Sequence, residues 1–125
     1  MDTSAAMDAA ETAAEAVRAL NHHTLDPTGV DVAAVYACLG SLNRLCRGLD
    51  QGLDQLGRAI DRRRRLDVLA HDTDGEGNVV DDSVDQLLAA LDTARRLALE
   101  ASAAIDRAHQ SAGHLIDRDS APVGE

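Results

Sequence analysis

Apolar residues recur along this chain at alternating steps of three and four, the spacing that lays side chains along one face of an α-helix. Three segments carry the pattern. Ala6, Ala10, Ala13, Val17 and Leu20 form one stripe and predict a first helix over about residues 4–23. Val32, Val35, Leu39, Leu42, Cys46, Leu49, Leu53, Leu56 and Ile60 keep the alternation without a miss and predict a second helix over about 29–70. Val84, Leu87, Leu91, Ala94, Ala98, Ala101, Ile105, Ala108, Ala112 and Leu115 do the same for a third helix over about 83–116. A seven-residue apolar repeat is the pattern of helices that wrap round each other. Each long helix also carries a second row: Cys38, Leu45, Gly52, Ala59 and Leu66 on helix 2, and Ala90, Leu97, Ala104 and Ser111 on helix 3. Two adjacent rows imply two neighbours for one helix.

The breaks fit this reading. Pro27 in "LDPTG" cannot continue a helix, and Thr28 with Asp31 reads as a capping-box restart. Ser83 with Gln86 repeats that pattern before helix 3. Helices 2 and 3 match in length and are joined by a short polar stretch, so an antiparallel, coiled-coil-like hairpin is expected. The whole is then an all-α, up-down-up three-helix bundle with a short first helix, one domain over residues 4–116. Residues 1–3 and 117–125 lack periodicity and are expected to be disordered.

Helix 1 is about half as long as its neighbours and can cover only the half of the hairpin near residues 30–50 and 98–117. The other half would leave leucines in water, at a cost of about 1.5–3 kcal/mol each in burial forgone. Leu53, Leu56, Leu66, Leu69, Leu88 and Leu97 are therefore the expected partner interface, and the partner is a second copy or another helical protein. The alternative is a kink at "RGLDQGLDQLG" that folds the far half back over the core, since Gly40, Gly48, Gly52 and Gly57 all weaken helix 2.

Composition sharpens the picture. In 125 residues there is no Trp, no Phe and a single Tyr, Tyr36. The core would be built from Ala, Leu and Val, as expected of an all-α domain. Every basic residue is Arg, which points to a GC-rich, bacterial coding sequence and carries no functional meaning. A net charge of −10 argues against nucleic acid and anionic membranes as partners. No apolar run approaches the length of a membrane span, and the acidic start lacks the apolar core of a secretory signal, so a cytoplasmic location is expected. Cys38 and Cys46, eight positions apart on one helix, lie roughly 12 Å apart and cannot bond to each other. They are free thiols or pair between chains.

"DTDGEGNVVDDS" (72–83) resembles the calcium loop of an EF-hand. Asp72, Asp74 and Glu76 fall at the first, third and fifth ligand positions, Gly77 at the turn and Val79 at the apolar position. Val80 and Ser83 depart from it at the ninth and twelfth positions, where oxygen ligands belong. Calcium is the only cofactor the sequence suggests, and a polar inter-helix turn is the competing reading.

Other candidates are weaker. His22, His23, His109 and His114 stand near helix C-termini, where the dipole favours them, and no metal-ligand spacing joins them. The arginines of "DRRRRLD" (61–67) are expected to pair with Asp81, Asp82 and Asp85 across the hairpin, beside local pairs Asp54–Arg58, Asp61–Arg65 and Asp92–Arg96. Size and hairpin architecture together resemble the small helical substrates of type VII secretion, and that resemblance implies signal-less export. The family's Trp-x-Gly turn has no counterpart here, and Tyr36 is followed four residues on by Gly40 instead of an acidic residue. No nucleophile elbow or phosphate loop is present, so a non-enzymatic interaction module is the expectation.

Overall fold

A computed structural model describes residues 3–72 and 79–118. Asp74, Glu76 and the tail beyond residue 118 lie outside the described residues. The expected all-α class stands: three helices, α1 (Ser4–His23), α2 (Val32–Arg65) and α3 (Val79–Ala112), a 3-10 turn at Pro27–Gly29, and no strand among the described residues. α2 and α3 pack against each other as an antiparallel pair of equal length, 34 residues each. The chain divides into two compact units. One takes in α1, the 3-10 turn and the chain to Val35, together with residues from Ile116; the other runs Tyr36–Leu115.

In the first unit, α1 ends where Thr24 Oγ1 and N both donate to the Leu20 carbonyl, at 2.9 and 3.1 Å. Every residue of α1 is exposed except the half-buried Leu20. Asp26 then caps the 3-10 turn, accepting from Thr28 N and Thr28 Oγ1 at 3.1 and 2.7 Å. The Thr28 hydroxyl and amide hold the Asp26 carboxyl below its usual range. The cap of α2 is Asp31, not Thr28: its carboxylate accepts from Ala34 N at 2.8 Å, three residues on. Asp117 Oδ2 accepts from Val32 N at 2.7 Å, so two carboxylates satisfy amides at a helix end that favours negative charge.

α2 runs as one uninterrupted helix through its glycines to Arg65. It stops in a six-to-one and five-to-two pair of backbone bonds, Val68 N to Arg63 O and Asp67 N to Arg64 O, with Asp67 at φ 56° in the left-handed region usually taken by glycine.

The hairpin seam differs from the strict apolar seam expected. Expected seam residues Leu49, Leu56 and Leu87 are 45, 59 and 38 % exposed. Facing α3 instead is the row Tyr36, Asn43, Asp50, Gly57, Arg64, and facing α2 is the row Leu88, Arg95, Ser102, His109. Their contacts fall at matched seven-residue steps. Tyr36 stacks on His109 with ring centroids 4.0 Å apart. Buried Ser102 donates through Oγ to Oδ1 of buried Asn43. Arg95 Nε donates to Asp50 Oδ1 at 2.9 Å. A Cβ on Gly57 would stand 3.2 Å from Leu88 Cδ2. The half-buried residues Leu39, Cys46, Leu53 and Ile60 of α2, with Leu91, Ala98 and Ile105 of α3, run beside this polar row. Both helices have thus turned about their own axes to bring polar side chains together. Among the described residues, Val84 and Ala112 are the buried apolar side chains.

Candidate functional site

The rotation of the seam sorts the hairpin into two unlike sides. In an α-helix, the residue before a seam residue lies about 100° round in one sense, and the residue four after it lies on the other flank. Because the helices are right-handed and antiparallel, equivalent steps on α2 and α3 turn toward the same side of the hairpin.

One side is charged. Arg95 Nη1 reaches Asp54 Oδ1 at 3.1 Å, Asn43 Nδ2 donates to Asp106 Oδ1 at 3.3 Å, and Arg47 Nε donates to Ser102 Oγ at 3.4 Å. Near the turn, Arg64 bridges Asp85 at 2.6 Å and Asp61 at 2.5 Å, and Arg65 joins Asp61 at 2.6 Å. Hydrogen bonds from Arg64 and then Arg65 lower the Asp61 carboxyl, while Asp85 and Asp61 raise Arg64. Asp50, chiefly, raises Arg95. The arginine run therefore pairs across the hairpin through Arg64 and Asp85. Of the local pairs expected, Arg58–Asp54 forms at 2.9 Å and Arg65–Asp61 as above, while Arg96 reaches Glu100 at 3.8 Å.

The other side is apolar. It carries Leu42, Leu49 and Leu56 of α2 and Leu87, Ala94, Ala101 and Ala108 of α3, flanked by Leu97. Leu49, Leu56, Leu66, Leu87 and Leu97 are between 38 and 59 % exposed, and Ala101 and Ala108 are exposed as well. Among the residues expected at the interface, Leu56 lies open on this side with Leu97 at its edge, whereas exposed Leu66, just past the end of α2, borders Arg58, Arg62 and Arg65. Leu53 and Leu88 are half-buried at the seam around Gly57, and half-buried Leu69 follows the end of α2. Sequence reasoning did not single out Leu49 and Leu87 as interface residues, because their spacing reads equally well as seam.

Chemistry elsewhere is sparse. The cleft beside Gly57, lined by Leu53, Leu88, Leu91 and Arg95 among others, holds about 140 Å³, below the roughly 300–1,000 Å³ of small-molecule sites, and an open depression of about 480 Å³ lies among Arg58, Arg62, Arg65 and Leu66. Among the described residues no three His, Cys, Asp or Glu side chains gather where they could hold a metal ion. Asp72, the described member of the EF-hand-like set, is 93 % exposed and faces His71 Nδ1 at 3.3 Å. His22 and His23 meet edge to face on α1 with centroids 5.5 Å apart. Cys38 and Cys46 are half-buried free thiols. No helix among the described residues is long and apolar enough to cross a membrane. Comparison of the chain with protein-family models, with curated proteins and with solved structures returned no match in any of the three.

Proposed function

We propose that this protein is a non-enzymatic helical interaction module that self-associates through the apolar side of its α2–α3 hairpin. One observation carries the reading: leucines at seven-residue spacing stand in solvent while polar side chains occupy the seam. A chain of 125 residues has length enough for a substantial core, yet its described residues bury almost no apolar side chain. A contiguous apolar face of this kind marks an interaction surface. The polar groups of the hairpin seam are engaged with one another: Arg95 with Asp50 and Asp54, Arg64 with Asp61 and Asp85, Asn43 with Ser102. Two free thiols fit a reducing compartment, which favours the cytoplasm.

Light scattering coupled to size exclusion tests the proposal. At roughly 100 μM a complex of micromolar Kd leaves little monomer, and the expected mass is twice that of the chain. Leu49→Glu with Leu56→Glu removes two exposed leucines from the face and should weaken Kd by at least about a hundredfold, with helical circular dichroism retained. A parent chain that stays monomeric at that concentration sinks the reading.

A further inference from the structure

Resting on that self-association, we infer that the two copies meet about a dyad parallel to the hairpin, with α2 of each copy lying antiparallel over α3 of the other.

The argument begins with the asymmetry of the apolar side. Its α2 row is large, Leu42, Leu49 and Leu56, and its α3 row is mostly small, Leu87, Ala94, Ala101 and Ala108. Two hairpins can join face to face about a dyad in one of two directions. A dyad across the helices lays α2 on α2 and α3 on α3, so leucine ridges meet leucine ridges and alanine gaps meet alanine gaps. A dyad along the helices lays the leucine ridge of each copy on the alanine row of the other, the ridge-into-groove fit that close helix packing requires.

The register then follows from symmetry. A two-fold axis carries no translation along itself, so residues level with each other within one hairpin stay level between copies. Within the hairpin, Asn43 is level with Ser102, Asp50 with Arg95 and Gly57 with Leu88. One residue earlier on both helices is a step in opposite directions, so Leu42 lies about 3 Å along the axis from Ala101, as Leu49 does from Ala94 and Leu56 from Leu87, each still the nearest pair between the two rows. Across the dyad these pairs become contacts between copies. The seven-residue period is shared by both rows, so the knobs stay in step along the whole face.

Area suits a second copy as occupant. From Leu87 to Ala108 the face is about 32 Å long at 1.5 Å per residue. Two helices about 9 Å apart make it about 20 Å wide. That is roughly 600 Å² per copy, at the lower end of ordinary specific interfaces. The ion pairs of each hairpin lie on the opposite side, so joining the apolar faces desolvates none of those charges. Every helix of the resulting four-helix section is antiparallel to both neighbours, the up-down-up-down arrangement of simple bundles.

Single-cysteine chains decide the geometry. Cys38→Ser with Cys46→Ala supplies the background, and Leu49→Cys and Ala94→Cys are made in separate chains carrying different tags. The two are mixed and oxidised after light scattering has shown that each is dimeric. The mixed 49–94 disulfide is expected to outnumber the symmetric 49–49 and 94–94 products. A second pair, Leu42→Cys with Ala101→Cys, should behave alike. Dominant 49–49 and 94–94 disulfides overturn the dyad direction and leave self-association standing. Dimers that form no disulfide at either pair overturn the dyad along the hairpin. A monomeric mass for the cysteine-free parent removes the premise of both.

Discussion

Gly40 and Gly48 sit on the same helix and have opposite surroundings. A Cβ at Gly48 meets nothing within 4 Å, whereas one at Gly40 stands 3.1 Å from His109 Nε2. His109 is half-buried and stacked on Tyr36, so it cannot swing aside as an exposed side chain would. Gly113 closes the same packet, with Tyr36 Cε1 3.1 Å from its would-be Cβ. Gly48→Ala should therefore stabilise the fold by up to about 1 kcal/mol, the ordinary helix preference for alanine. Gly40→Ala should forfeit that gain by displacing the imidazole. Urea unfolding of the two variants measures the contrast; equal stabilisation would mean that the ring stack exerts no constraint.

At the scale of the element, the hairpin is held by polar side chains in places where hydrophobic residues were expected. Arg95 stands between Asp50 and Asp54, two carboxylates four residues apart on α2. Arg95→Ala leaves those like charges facing one another and should lower the thermal midpoint. Arg95→Met combined with Asp50→Leu should recover part of the loss, because apolar replacement of a whole pair is gentler than removal of one partner. Circular dichroism melts of the single and double variants would separate these outcomes. Asp61 adds a pH dependence. Its carboxyl lies below the ordinary 3.8 because Arg64 and Arg65 hydrogen-bond its ionised form. A depressed carboxylate contributes stability above its unfolded value and loses it as pH falls through the lower folded value. The gap in urea midpoint between the parent and Asp61→Asn should thus be open at neutral pH and close as pH falls below 3.8.

For the molecule as a whole, charge opposes the association that the apolar side favours. Two chains of net charge −10 repel each other while their apolar faces attract. The Debye length shrinks from about 30 Å at 0.01 M salt to about 3 Å at 1 M, so added sodium chloride should tighten the dimer. Sedimentation equilibrium across that range measures it, and a Kd that rises with salt would point to ion pairs across the interface instead of leucines.

What one chain determines by itself is the phase of its apolar stripes, because the turn of a helix is set by local backbone geometry. The three helices and the stop at Pro27 were legible for that reason, as was an exposed leucine set containing Leu56, Leu66 and Leu97. Tertiary structure alone decided which flank of each stripe faces the neighbouring helix. Asn43 gains from the seam only when Ser102 stands opposite, and Asp50 only when Arg95 does. Those matches link positions 59 and 45 residues apart, and no periodicity within a single helix contains them. The same kind of separation hid Asp117 as a second satisfier of the α2 amides beside the local cap Asp31, since Asp117 follows the last helix and meets Val32 only after the chain has folded.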